Sequence, residues 1–200
     1  MIDIRHARIN TAGAYVCIHG YYLFAIGIQR PNGHIPIIRL GGHRERYETG
    51  WQCAAREVFE EANLQIAPLL PRTSYVSDWD HTDEDLQEIQ WQNKIEPEPV
   101  PLLVVTYSRD ADTHFSLMYL AHADGLPEAS SEVKGLLLVT KEEVHLLCQE
   151  SLTLHQYLSR GDKAIMDGEF DPKLVLEPFA QLRLLSRLLS IQSETKAQFA

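Results

Sequence analysis

The chain has 200 residues, of which 44% are hydrophobic and 23% are charged, a composition typical of a folded globular protein and not of a disordered one. Lysine and arginine number 18 against 28 aspartates and glutamates, which gives a net charge of −10 at pH 7 and argues against tight binding of long nucleic acids. The three cysteines are too few and too scattered for a disulfide framework or a Cys-x-x-Cys metal site. No segment has the pattern of a signal peptide or a membrane span. We therefore expect one cytoplasmic domain over residues 1–200, with no membrane partner.

The first forty residues carry the pattern of a β-sheet. Residues 14–19 and 22–29 are rich in β-branched and aromatic side chains and are separated by Gly20, so they predict a hairpin. After the Pro31-Asn32-Gly33 turn signal, residues 34–40 predict a third strand, and Pro36 indicates that its first part lies at a sheet edge. This strand leads into a loop formed by Gly41 and Gly42.

A helix is predicted directly after the two glycines. Thr49 and Gln52 have the spacing of a capping box, which starts the helix at Gly50. Asn63 suits the left-handed conformation of a helix C-cap and ends it. Winding the segment at about 100° per residue predicts an apolar face and, opposite to it, an acidic face. The apolar face holds Trp51, Ala54, Ala55, Val58, Phe59 and Ala62, and the acidic face holds Glu57, Glu60 and Glu61.

The acidic helix face predicts a cation site. In a partly enclosed cleft, two carboxylates at ~6 Å repel by about 3 kcal/mol at an effective dielectric constant of ~20. Arg56 offsets only part of this repulsion. A divalent cation would offset the rest, and a set of oxygen ligands suits Mg²⁺, or else Mn²⁺, better than zinc. The alternative is a solvated glutamate-rich face without a ligand.

The spacing of residues 42–64 resembles the Nudix box. Gly42 is followed after five residues by Glu48, and after seven more by the run from Arg56 to Leu64. The match includes every fixed place except Asn63, where the family has glycine. Asparagine tolerates a positive φ, so we interpret Asn63 as a tolerated substitution. Tyr47 also replaces a glycine that is common before the first glutamate.

The resemblance implies a fold, a reaction and roles for individual residues. The fold is a Nudix-like α/β/α sandwich with a small mixed β-sheet. The reaction is Mg²⁺-dependent hydrolysis of a nucleoside diphosphate linked to another moiety. The metal ligands would be Glu57, Glu60, Glu61 and the carbonyl group of Gly42. The catalytic set would be Glu60, Glu61, Arg56, Glu48 and Glu132.

Within that set, the roles differ. Arg56 would orient a carboxylate, and Glu48 would either hold Arg56 or join the metal shell. Glu132 precedes a later strand and would serve as the general base or as a ligand at a second metal site; a surface carboxylate is the alternative. The rival function is a non-catalytic binding module for a nucleotide or sugar phosphate. Isomerase chemistry on an allylic diphosphate is a third interpretation, for which Cys53 is not clearly placed as the acid.

The rest of the chain predicts more strands, an acidic insertion and C-terminal helices. Strands are predicted at residues 64–69, 73–77, 101–107 and 114–121. Between them, residues 78–99 form an acidic insertion, interpreted as a solvated segment or, alternatively, as a lid that brings Asp78, Asp80 or His81 near the metal. Helices are predicted within about residues 141–192, and the last of them either covers a core or forms a homodimer contact. Residues 162–172 are predicted as a loop and residues 193–200 as a mobile tail.

Overall fold

A computed structural model describes residues 8–79, 86–91, 98–109, 112–130 and 132–198. The helices in these ranges are α1 (Gly50–Ala62), α2 (Lys141–Gln149), α3 (Leu154–Ser159) and α4 (Ala180–Gln198). The strands are β1 (Arg8–Ile18), β2 (Tyr21–Ile26), β3 (His34–Ile38), β4 (Leu40–His43), β5 (Ile66–Leu69), β6 (Ser74–Asp78), β7 (Gln87–Ile89), β8 (Leu103–Arg109), β9 (Asp112–Ala123), β10 (Gly135–Val139), β11 (Lys163–Met166) and β12 (Val175–Pro178). None of the helices in the described ranges is long and apolar enough to cross a membrane.

The strands form one mixed sheet. Eight of them follow the order β11-β10-β2-β1-β9-β8-β6-β7. Of the other four, β3 pairs with β2 and with β12, β4 pairs with β1, and β5 pairs with β9. The pairs β1–β9, β6–β8 and β3–β12 are parallel, and the other pairs are antiparallel. The mixed sheet is therefore confirmed. It has more strands than the sequence predicts, because short strands such as β4, β7, β11 and β12 carry little periodic signal of their own.

The helices cover the sheet on its two faces. Successive side chains of a strand point to opposite faces, and in β2 Leu23 packs in the core cluster of α1 while Phe24 packs in the other cluster. Helix α1 contributes Cys53, Ala54, Val58 and Ala62 to the first cluster, whereas α2, α3 and α4 contribute residues such as Val144, Tyr157 and Leu182 to the second. The predicted α/β/α arrangement is confirmed.

Several local predictions near the N-terminus need correction. The hairpin of β1 and β2 forms as predicted, but the single strand expected at residues 34–40 is divided at Arg39 into β3 and β4. Gly41 and Gly42 lie in β4, paired with β1, and not in a loop. Pro36 is not at an edge, because β12 pairs along β3 on the side away from β2.

The C-terminal part also contains strands where other structure was predicted. Strand β11 lies inside the loop expected at residues 162–172, and β12 precedes the last helix. Each is four residues long and pairs with a strand distant in sequence, so local propensity alone does not reveal it. Helix α4 continues to Gln198 where a mobile tail was expected.

The acidic insertion is described only in part. Strand β7 adds to the sheet edge beside β6, and the Trp79 ring packs 5.8 Å from the ring of Phe179. Asp78 is exposed at the end of β6. Asp80 and His81, the other two residues considered for a lid, lie outside the described residues.

Candidate active site

Helix α1 is capped as its sequence predicts. The Thr49 hydroxyl group accepts a hydrogen bond from the Gln52 N–H at 3.2 Å, and the Gln52 side chain accepts one from the Thr49 N–H at 2.8 Å. At the other end, Asn63 has φ 54° and ψ 33° and donates its N–H to the Phe59 carbonyl group. The left-handed conformation predicted for Asn63 is thus confirmed.

The buried face of α1 differs from the predicted one. Phe59, assigned to the core, is 52% exposed, whereas Glu61, assigned to the acidic outer face, is 8% exposed. The face that packs on the sheet is rotated by roughly a quarter of a turn toward Cys53 and Glu61. Hydrophobic periodicity misplaces the face because it assumes that a glutamate is solvated. Glu61 instead accepts a hydrogen bond from the Gly41 N–H at 2.8 Å.

The two glycines of β4 allow this helix face to approach the backbone. The carboxylate of Glu57 lies against the Cα atom of Gly42, so that a Cβ atom at Gly42 would overlap both carboxylate oxygens. Gly41 has φ 141°, and a Cβ atom there would overlap the Arg39 guanidinium and the Ala12 carbonyl oxygen. Gly41 therefore requires glycine, whereas a side chain at position 42 would have to displace the Glu57 carboxylate. Glu57 and Glu61 therefore meet the same pair of glycines from one turn of one helix.

Arg56 binds three of the predicted carboxylates. Its Nε and Nη2 atoms donate to the two oxygens of Glu48 at 2.7 and 3.1 Å, the forked geometry that makes an arginine–carboxylate pair strong. Its Nη1 atom donates to Glu57 at 2.9 Å and to Glu60 at 2.6 Å. The hydrogen bonds that Arg56 donates to Glu48 raise the pKa of Arg56 and lower the pKa of Glu48. Glu48 thus contacts Arg56 through both of its carboxylate oxygens, as one of the two roles considered for it requires.

Glu61 has a strongly shifted pKa. Burial raises its pKa from 4.5 to about 7, and the Gly41 N–H opposes this shift only in part. The nearby charges of Glu57 and Glu132 raise the pKa further, while Arg39 lowers it. A cation beside this carboxyl group would stabilise its ionised form.

Glu132 is brought to the same end of the helix, but it touches none of the other predicted residues in the described contacts. It is exposed. The segment before Glu132 is hydrogen-bonded to the last turn of α1. The Glu128 N–H donates to the Ala62 carbonyl oxygen at 3.0 Å, and the Ser130 N–H donates to the Glu61 carbonyl oxygen at 3.2 Å. Glu132 is thus close enough to influence Glu61 electrostatically.

The donor set suits a hard cation, although the side chains do not surround one point. Within the described part of the chain, no three His, Cys, Asp or Glu groups converge closely enough to hold a metal ion as they stand. Three of the predicted carboxylates, Glu48, Glu57 and Glu60, are instead hydrogen-bonded to Arg56. The oxygens of Glu57 and Glu61, with the nearby Gly42 carbonyl group, are nevertheless ligands that Mg²⁺ accepts. A buried, destabilised carboxylate such as Glu61 also fits the presence of a cation.

Sequence reasoning missed Arg39, which lies beside the site, and Glu98, which contacts the first turn of α1. Arg39 donates from Nη1 to the Ala12 carbonyl oxygen at 3.1 Å, behind the glycine pair. Burial lowers its pKa, whereas the charge of Glu61 raises it. The only signal was one arginine among the apolar residues that precede Gly41. The other residue is Glu98, whose Oε1 atom accepts the Trp51 N–H at 3.3 Å, and no sequence pattern marked it.

Cys53 is not placed for catalysis. It is fully buried, and its Sγ atom lies 3.7 Å from the Gly42 carbonyl oxygen. Burial raises the pKa of its thiol to about 11, so the thiol stays protonated near neutral pH. A thiol without solvent access cannot reach a substrate.

Comparisons with known proteins bear on the fold. No protein-family model matches the sequence, and no curated protein matches it either. Among solved structures, a NUDIX hydrolase from Nitrosomonas europaea is 17% identical with a TM-score of 0.42, and the match covers 69% of this chain and 61% of that one. A NUDIX-family hydrolase from Clostridium perfringens is 20% identical with a TM-score of 0.45, covering 68% and 83%.

A longer match extends over nearly the whole chain. The E. coli ORF135 protein is 16% identical with a TM-score of 0.51, and the match covers 94% of this chain and 93% of that one. At such identities the likeness is one of fold. The chain therefore has a mixed α/β sandwich fold that recurs among solved structures, and NUDIX hydrolases are among the structures it resembles.

Proposed function

We propose that the protein is a Mg²⁺-dependent hydrolase that cleaves a nucleoside diphosphate linked to another moiety. The observation that carries this proposal is the convergence of Glu57 and Glu61 on the Gly41-Gly42 pair. Burial and the nearby charge of Glu57 both raise the pKa of Glu61, and a bound cation would favour its ionised form. The Nudix-like spacing of residues 42–64 supports the same assignment.

Glu57 and Glu61 are the first choice as direct metal ligands, with the Gly42 carbonyl group beside them. Glu60, whose side chain is 39% exposed, would bind directly or through water. A bound Mg²⁺, or Mn²⁺ in its place, would neutralise diphosphate charge and make a water molecule more acidic. Arg56, which is hydrogen-bonded to both oxygens of Glu48, would keep Glu57 and Glu60 oriented.

The reaction also needs a group that accepts a proton. The oxygen of water would form a bond to phosphorus, the bridging P–O bond would break, and the proton lost by the water would pass to a carboxylate. Glu132 is the proposed acceptor, because it is solvent-accessible and close enough to Glu61 for their charges to interact. The products would be two phosphate esters, or an ester and inorganic phosphate.

A substrate screen tests the proposal. The purified chain would be incubated with dinucleotides, nucleotide sugars and nucleoside triphosphates, with Mg²⁺ and with a chelator, and release of phosphate or nucleoside monophosphate would be measured. We expect turnover of at least one class in Mg²⁺ and none in the chelator. Equal rates in both conditions would refute the metal requirement.

The alternative is a binding module that keeps the pocket without turnover. The observation in its favour is that Arg56 holds three of the carboxylates, which is how an acidic pocket is neutralised without a metal. Calorimetric titration with the same compounds separates the two functions. Saturable binding without products in Mg²⁺ would favour the module.

A further inference from the structure

We infer that Asn63 is a positioning residue that latches the segment before Glu132 to the C-terminus of α1, and so holds the Glu132 carboxylate beside the acidic end of the helix. The inference rests on the proposed function. It concerns the side chain of Asn63, whereas the capping role described above uses only its backbone.

Three hydrogen bonds join segment 128–130 to the end of α1, and the latch is the one that the Asn63 side chain donates. The Asn63 Nδ2 atom donates to Oε2 of Glu128 at 3.0 Å. The backbone N–H groups of Glu128 and Ser130 donate to the carbonyl oxygens of Ala62 and Glu61, which would otherwise lack partners at the end of a helix. The segment 128–130 therefore lies along the last turn of α1.

The connection continues to Glu132. The Ser130 hydroxyl group accepts the Glu132 N–H at 3.2 Å, and Val133 is 5% exposed and packs in the same core cluster as Ala62 and Leu64. Glu132 is consequently held on both sides, by Ser130 before it and by a buried valine after it. Its position depends on where segment 128–130 lies.

Asparagine supplies two properties at position 63, and glycine would keep only the first of them. It accepts the left-handed backbone, with φ 54°, as glycine would. It also supplies an amide N–H for Glu128, which glycine lacks. Asn63→Gly thus keeps the helix cap and removes only the latch, so the variant should fold normally.

Four variants test the inference. Asn63→Gly and Glu128→Ala remove the latch, Glu128→Gln keeps an acceptor oxygen, and Glu132→Gln removes the proposed base. For each variant, kcat and KM on a substrate found in the screen would be measured. Amide hydrogen exchange at Glu128 and Ser130 supplies a readout that is independent of activity.

We expect Asn63→Gly and Glu128→Ala to lower kcat by about two- to fivefold, the range for one solvent-exposed hydrogen bond, and to leave KM unchanged. Glu128→Gln should behave like the wild type. In the Glu132→Gln background, Asn63→Gly should have no further effect, because the group it positions is already gone. Exchange at Glu128 and Ser130 should be several-fold faster in both latch variants.

Two results would overturn the inference. If Asn63→Gly lowers kcat equally with and without Glu132, the latch does not act through Glu132, and the hydrolase assignment would be unaffected. If exchange at Glu128 and Ser130 is unchanged in Asn63→Gly, the side chain does not hold the segment, whether or not the chain hydrolyses anything. Failure of the proposed function would instead show as absent turnover in the wild type across the whole screen.

Discussion

Glu61→Gln should stabilise the metal-free protein and abolish its response to Mg²⁺. Glutamine has the size of glutamate, and its side-chain oxygen can still accept the Gly41 N–H. The change therefore removes only the charge. The two effects have opposite signs, which a variant that merely damaged the fold could not reproduce.

The magnitude of the stabilisation follows from the pKa of Glu61, which burial raises from 4.5 to about 7. Well below pH 4.5 the carboxyl group is protonated in both the folded and the unfolded chain, so its burial does not lower the free energy of unfolding through ionisation. As the pH rises from about 4.5 to about 7, the unfolded chain ionises while the folded chain keeps its proton, so stability is lost progressively; above about pH 7 both states are ionised and the loss stays constant. At about pH 8 the cost is about 3 kcal/mol. Glu61→Gln should therefore raise the free energy of unfolding by most of this amount at about pH 8 and should leave it unchanged at about pH 4.

Urea unfolding followed by tryptophan fluorescence, with a chelator or with Mg²⁺, measures both effects. The wild type should gain about 1.4 kcal/mol for a Mg²⁺ concentration ten times the dissociation constant, whereas the variant should gain nothing and should lose most of the proposed hydrolysis. A stability difference that is the same at both pH values would refute the assignment of the raised pKa to Glu61. Wild-type activity in the variant would remove Glu61 from the catalytic set.

Two other predictions concern the packing of α1. Gly42→Ala would displace the carboxylate of Glu57, so we expect Mg²⁺-dependent stabilisation to weaken in thermal unfolding; an unchanged Mg²⁺ response would show that the position of Glu57 against Gly42 is not required for Mg²⁺ binding. Phe59→Ala should change the free energy of unfolding by less than about 1 kcal/mol, because the ring is 52% exposed, whereas Val58→Ala, at a fully buried position, should cost about 1–2 kcal/mol. If urea unfolding showed the same loss of unfolding free energy for Phe59→Ala and Val58→Ala, this would contradict the observed orientation of the helix.

Much of the candidate site can be predicted from the sequence because its signals are local. The capping box at Thr49, the C-cap at Asn63 and the spacing of the carboxylates all depend on residues within one helix. Hydrogen bonds between residues three or four apart form wherever the helix forms. The hairpin of β1 and β2 is predictable for the same reason.

The tertiary structure decides which way that helix faces and what each carboxylate meets. Sequence periodicity places Phe59 inside and Glu61 outside, yet the glycine pair of β4 offers a backbone N–H that offsets part of the cost of burying Glu61. The positions of Arg39 and Glu98 likewise depend on contacts between distant segments. Four residues with no periodic pattern become a strand only when a partner strand is present, as in β4, β11 and β12. The sequence by itself thus determines the helix and its charges, while packing against β4 determines which of those charges are buried, because desolvation depends on neighbours that are far away along the chain.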